Sequence, residues 1–373
     1  MPHPSSPQHP SAAREFGLDW LRVFAFSLLI LYHTGMIFVR WPFHIKNAET
    51  SIPLEWLMLA VNRWRLPLLF FVAGVAVSFS LCRRSYRKFA AERFQRLFLP
   101  LVFGMFVIVP PQIYLERLFR GATLSYAEWY PSVFEFRPYP QGSLSWHHLW
   151  FVLYIFVYSL AGIPLFRWVR SAAGRRAIDT LVDVFERRPL LLYTAITPSL
   201  FLDSMLGPHW PTTHNLVADW NNLLGSFLYF LWGFIIGLNP RFLDLITRRR
   251  HELALSGLAF AIAFFAARAF GSPGGRQLSV CFGFTWVLAL AGLARHHFRE
   301  GGPKLRYATQ IVYPLYIFHQ TVLIAAGYYV IQQPWGVWPK FALVALITFL
   351  GSWLAVEAVR RFSLTRLLFG LKA

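Results

Sequence analysis

Apolar residues gather in ten long runs, near 20–39, 54–81, 98–119, 148–166, 189–206, 221–239, 252–267, 278–294, 307–330 and 341–359. Polar and basic stretches separate them. Runs of about 20 apolar residues suit helices that cross the hydrocarbon core of a bilayer, because each helix closes its own backbone hydrogen bonds. Several runs exceed the minimum span and predict tilted helices. The pattern therefore predicts an all-α, polytopic membrane helical bundle of about ten transmembrane helices. It divides the chain into a cytoplasmic tail over 1–18, a transmembrane domain over 19–361 and a cytoplasmic tail over 362–373.

Composition supports lipid as the solvent. The 373 residues are 56% hydrophobic, 18% aromatic and only 14% charged, with a mean hydropathy of +0.45. Soluble domains carry about 25% charged residues, and no soluble core absorbs this much apolar surface. The net charge of +19 does not indicate nucleic acid, because the basic residues alternate between loops and do not gather on one water-facing surface. Threading the chain to and fro places 25 of the 36 Lys and Arg on the side of both termini and seven on the other side, with Arg22, Arg63, Arg65 and Arg117 inside spans. The positive-inside rule then makes both termini cytoplasmic. The first apolar run is long and lacks a small-residue cleavage site, so it reads as a retained anchor. Cys82 and Cys281 fall in or beside spans and suggest neither a disulfide framework nor a metal knuckle. There is no internal repeat of the kind that inverted-repeat transporters carry.

Two segments on the outer side are larger and more polar than turns require. They are 120–147, with Glu128 and Glu135, and 203–219, with Asp203, His209, His214 and Asp219. An acceptor could dock there, and the aromatic residues among them equally fit an interfacial belt.

Ionisable residues inside spans are costly and mark function. In LDWLRVFAFSLLILYH, Asp19 and Arg22 stand three apart and His33 eleven further on. Eleven residues make about three helical turns, so Arg22 and His33 share a face about 16 Å apart. Asp19 with Arg22 also fits a membrane-edge ion pair. The second run brings Arg65, Pro67 and Gly74, and the third opens with Arg93 and Arg96, which suit phosphates and positive-inside anchoring alike. WHHLWF places His147 and His148 at the outer boundary. Neighbours on a helix point about 100° apart, so one of the two is expected to face inward. Tyr316 and His319 share the ninth run, and Glu357 stands four before Arg361 in the tenth.

Taken together these residues resemble the acyltransferase-3 family of bacterial membrane acyltransferases, and within it the glucan-modifying branch, over nearly the whole chain. The resemblance rests on Arg22 and His33 in RVFAFSLLILYH, on Arg65, Pro67 and Gly74, and on Arg93, Arg96 and Pro100. It rests also on HLWF at His148–Phe151, on Tyr316 with His319, and on Glu357 with Arg361. Ala73 and Gln320 depart from it, where the family usually has Ser and the branch a second His. The resemblance implies transfer of an acyl group, acetyl or succinyl, from coenzyme A to a hydroxyl of an extracytoplasmic glycan at a bacterial inner membrane. Acyl-CoA is then a co-substrate, and no cofactor is held permanently. Expected partners are the donor, a carbohydrate acceptor and membrane lipids, with a homodimer left open. His33 is the expected general base, since an imidazole with a pKa of about 6.5 takes a proton at neutral pH. Arg22, Arg93 and Arg96 are expected to hold the donor phosphates, and Arg65 or His148 the oxyanion. Asp19, His319 and Glu357 complete the candidate catalytic set, and no metal ligands are expected. The rival readings are a transporter or flippase for a glycan or lipid-linked sugar, and a haem or quinone protein.

Overall fold

The computed structural model describes residues 15–371. The expectations for the outermost parts of the two tails, 1–14 and 372–373, lie outside the described residues. Among those described, every element is helical and β structure is limited to a single bridge between Pro138 and Leu144.

The first run is α1 (Phe16–Met36). The second is divided at Arg63 and Trp64 into α2 (Ile52–Asn62) and α3 (Arg65–Cys82). The third comprises α4 (Tyr86–Arg93), a π turn over Phe94–Phe98, α5 (Leu99–Val107) and α6 (Pro110–Phe119). The Pro110–Pro111 pair starts α6 because neither residue can donate to a helical ladder continued from α5. The first polar segment carries α7 (Tyr126–Trp129). A 3-10 turn over His147–Leu149 leads into α8 (Trp150–Ala161) and α9 (Ile163–Val169), which bend by 55° at Gly162. Then come α10 (Ala172–Arg187), a 3-10 stretch over Pro189–Ile196, and α11 (Thr197–Leu206). The remaining helices are α12 (Trp220–Leu238), α13 (Pro240–Arg248), α14 (Arg250–Phe270), α15 (Gly275–His297), α16 (Pro303–Val330), α17 (Val337–Val359) and α18 (Ser363–Leu368). Among the described residues nine helical segments are long and apolar enough to cross a bilayer, and ten when the bent α8–α9 pair counts as one span. The chain is thus a polytopic all-α bundle.

Two amphipathic helices had no counterpart among the apolar runs. In α10, Gly174, Ile178, Val182 and Phe185 recur at helical spacing and are buried, while the opposite face is charged. It lies against α13 through Asn239 to Asp179 at 2.8 Å, Arg241 to Asp183 at 2.6 Å and Arg248 to Glu186 at 2.7 Å. Glu15 and Gly370, near the two limits of the described residues, meet this same arginine-rich end of the bundle. Glu15 pairs with Arg295 at 2.9 Å, and the carbonyl of Gly370 accepts from Arg96 at 3.3 Å. The segment after Arg361 is docked on the bundle, with the Phe369 ring 4.5 Å from that of Phe318.

At the opposite end the loop after α1 folds back into the protein. Ile37, Phe38, Val39 and Ile45 are fully buried against Leu323, Ile324 and Val344. The Lys46 ammonium fastens the loop by donating to the carbonyls of Met36, Val39 and Trp41. Lipid offers such carbonyls no partner, so a cation inside the loop replaces water. This fold-back carries His44 into the bundle.

Candidate active site

A cavity of about 700 Å³ opens among α1, α3, α8, α11, α12 and the polar segments 120–147 and 203–219. His33, Arg65 and His148 line it, together with Tyr316. The two polar segments contribute Tyr139, Trp146, His147, Asp203 and His214 to its wall.

His33 belongs to a chain of hydrogen bonds that fixes its tautomer. The Nδ1 of His319 faces the carbonyl of Tyr316, and a carbonyl accepts only from an N–H. In a neutral imidazole the other nitrogen, Nε2, is then an acceptor. That nitrogen lies 2.8 Å from Nδ1 of His33. His33 therefore donates from Nδ1, and its Nε2 carries a lone pair. The ring lines the cavity, so the sequence of bonds prepares a base there. Tyr316 is held in turn by its hydroxyl, which donates to the carbonyl of His148.

Arg65 stands at the first turn of α3 and is 2% exposed. Its guanidinium carbon lies 3.5 Å over the ring of Tyr32, and its Nε and Nη1 are buried without a hydrogen-bond partner. Donors buried in this way cost free energy unless something accepts from them. They are suited to an oxygen that gains charge.

His148 does not share that capacity. Its Nε2 donates to the carbonyl of Ile317 at 3.0 Å, and its Nδ1 faces the amide of Gln112 at 3.4 Å. Both nitrogens are engaged, so His148 links the start of α8 to α16 and is not a spare oxyanion donor. The expectation that only one of His147 and His148 faces inward is also corrected, since both line the cavity. The 100° rule fails because these residues form a 3-10 turn, with His147 at φ 38° and the α-helix starting only at Trp150.

The far wall is aromatic and polar. Trp150 stacks on His214 at 4.2 Å, and burial lowers the pKa of that loop imidazole, keeping it neutral. Behind this wall the buried Asp219 accepts from Tyr154 at 2.6 Å and from two lining residues, Asn222 at 2.6 Å and the amide of Thr213 at 2.8 Å. None of Tyr154, Thr213 and Asn222 was expected from the sequence.

The other predicted residues lie away from the cavity. Asp19 and Arg22 form an ion pair at 3.6 Å near the start of α1. At the same arginine-rich end, Arg93 lies 4.6 Å over Phe89 with its Nε buried and unpartnered, and Gly370 packs between Tyr313 and Arg96. Glu357 does not pair with Arg361. It accepts from Tyr307 and from Arg360, each at 2.7 Å, because α17 ends at Val359 and Arg361 lies beyond the last turn.

Residues 15–357 match the family described as "Acyltransferase domain". The chain is similar to glucans biosynthesis protein C of Escherichia coli K12, with 20% identity over 376 residues that cover 97% of this chain and 95% of the relative. The protein of the same name from Escherichia coli O17:K52:H18 matches with the same identity and coverage. No solved structure matches the chain.

Proposed function

Since the chain belongs to the acyltransferase-3 family, whose pattern spans residues 15–357, and is a membrane acyltransferase, we propose that it moves an acetyl or succinyl group from coenzyme A to a hydroxyl of an extracytoplasmic glycan. The observation that carries this reading is the pairing, in one cavity, of a histidine with a directed lone pair and an arginine with unpartnered donors. The names of the similar proteins support a glucan as the acceptor, and the wall built from Trp146, Trp150, His214 and Asn222 suits a sugar.

In this reading Nε2 of His33 takes the proton of the acceptor hydroxyl, and the oxygen attacks the thioester carbon. The carbonyl electrons move onto its oxygen, which accepts hydrogen bonds from Arg65. Collapse of that intermediate breaks the carbon–sulfur bond, and the coenzyme A thiolate takes back the proton from His33. Arg22, Arg93 and Arg96 hold the phosphates of the donor at the cytoplasmic end, since guanidinium forks match phosphate oxygens. The membrane is then a bacterial inner membrane, with the arginine-rich end inside.

The test is transfer of radiolabel from acetyl- or succinyl-coenzyme A to periplasmic glucans by the purified protein in nanodiscs. Label should reach the glycan. Intact thioester with every donor, together with movement of glycan across sealed vesicles, would replace this reading with transport. Arg65 gives a second measurement. Arg65→Lys keeps a cation over Tyr32 but removes the guanidinium fork. It should lower kcat about 10²- to 10³-fold, as loss of one oxyanion donor does, with KM little changed. A rise in KM alone would show that Arg65 binds the ground state.

A further inference from the structure

The sequence pointed to no metal ligands, yet the fold-back of the first loop brings three together. Among the described residues, one nitrogen from each of His44 and His147 and one carboxylate oxygen of Glu116 lie within 4.8 Å of one another. His44 and His147 line the cavity. We propose that this trio is a site for a divalent transition-metal ion of the zinc class, with its open coordination position facing the cavity.

The strongest observation is His147. Its Nδ1 lies 2.7 Å from the hydroxyl of Ser145, while its Nε2 is buried without a hydrogen-bond partner. Metal-bound histidines have this arrangement, with one nitrogen on an oxygen acceptor and the other left as a lone pair for the ion. Its backbone adds to the case, since φ 38° is a left-handed conformation that a histidine adopts at a cost. The other two ligands face each other. Nδ1 of His44 lies 2.5 Å from Oε2 of Glu116, and its Nε2 lies 3.2 Å from the amide of Gln320. That neighbour is the amide nitrogen, so Nε2 accepts and Nδ1 carries the proton shared with Glu116; a metal ion would take the place of that proton between the two ligands. The second oxygen of Glu116 accepts from the Tyr139 hydroxyl at 2.7 Å, which fixes the carboxylate's orientation.

Ring geometry and charge agree. Two imidazoles bound at about 2.0 Å to one ion have ring centres roughly 5 Å apart, and those of His44 and His147 are 4.7 Å apart. Arg120 also meets Glu116, at 2.5 Å, but its side chain is 62% exposed and solvent screens its charge. Two imidazoles and a carboxylate are the donor set of open zinc sites, whereas calcium and magnesium require oxygen ligands. The open position would hold a hydroxyl, a carboxylate or water.

The test uses untagged protein in detergent, stripped with a chelator and titrated with Co²⁺, with bound metal read by elemental analysis and by visible absorption. One Co²⁺ per chain with d–d bands, displaced by Zn²⁺, is expected. His147→Ala and Glu116→Gln should each weaken binding at least tenfold, and Ser145→Ala about 10- to 100-fold. Glu116→Gln still receives the Tyr139 hydroxyl, and its elution profile should match wild type. His33→Ala should bind as wild type does, which separates this site from acyl transfer. No spectral Co²⁺ in wild type, or equal binding by Glu116→Gln, would overturn the proposal and leave the trio a hydrogen-bonded relay. Loss of all binding in a His296→Ala/His297→Ala variant would overturn it as well.

Discussion

His33→Ala and His33→Asn are expected to lower acyl transfer about 10²- to 10⁴-fold, the worth of a positioned general base. The alanine variant leaves Nε2 of His319 buried without its 2.8 Å partner, at a cost of about 1–3 kcal/mol. The asparagine amide sits where Nδ1 sat and restores that bond while supplying no base. Asn should therefore match wild type in yield and thermal midpoint and still lack turnover. His319 acts through His33, so His319→Ala should reduce kcat on its own but add little to His33→Asn, as residues working as a unit do. Full additivity in this cycle would show two separate roles. Normal turnover by His33→Asn would remove the base from the mechanism.

What could be read from the sequence followed from how the lipid constraint writes itself into a chain. Spans must be long and apolar, so all ten runs were visible. The breaks within them depend on local chemistry, such as Pro110–Pro111, and on packing around Arg63 and Trp64 that no window of hydropathy registers. The helices α10 and α13 were missed because amphipathic segments carry as many charges as a loop, and only their periodicity distinguishes them.

The site was half legible for the same reason. His33, Arg65 and His319 stood out because ionisable groups inside spans are rare. Glu116 lay within the third apolar run and met the same criterion, so its signal was present and unused. His44 carried no signal at all. It lies in a segment that reads as a loop, and only the buried fold-back held by Lys46 brings it to the cavity. The hydrogen bonds that engage His148, and so deny it the role assigned from its motif, join it to residues 169 and 36 positions away in the chain.

Gly233→Leu should abolish the folded protein, because α3 and α12 meet backbone to backbone. A Cβ at Gly233 would fall on the carbonyl of Phe71, and one at Gly74 on the carbonyl of Phe230. Neither obstacle is the end of a flexible side chain that could rotate away. Between membrane helices there is no hydrophobic drive to compensate for a lost fit, because lipid tails are as apolar as the side chains they replace. Separating the pair would also move Arg65 on α3, away from His33 on α1. Overpacking of even one or two methylenes costs about 1–3 kcal/mol where side chains can adjust, and here they cannot. Gly74→Leu should behave alike, with aggregation on size exclusion in place of a sharp peak. Gly225 on the same helix is the control. No atom lies within 4 Å of a Cβ there, so Gly225→Ala should elute and melt as wild type does. A folded, monodisperse Gly233→Leu would mean that the close approach of α3 and α12 is dispensable for holding the cavity together.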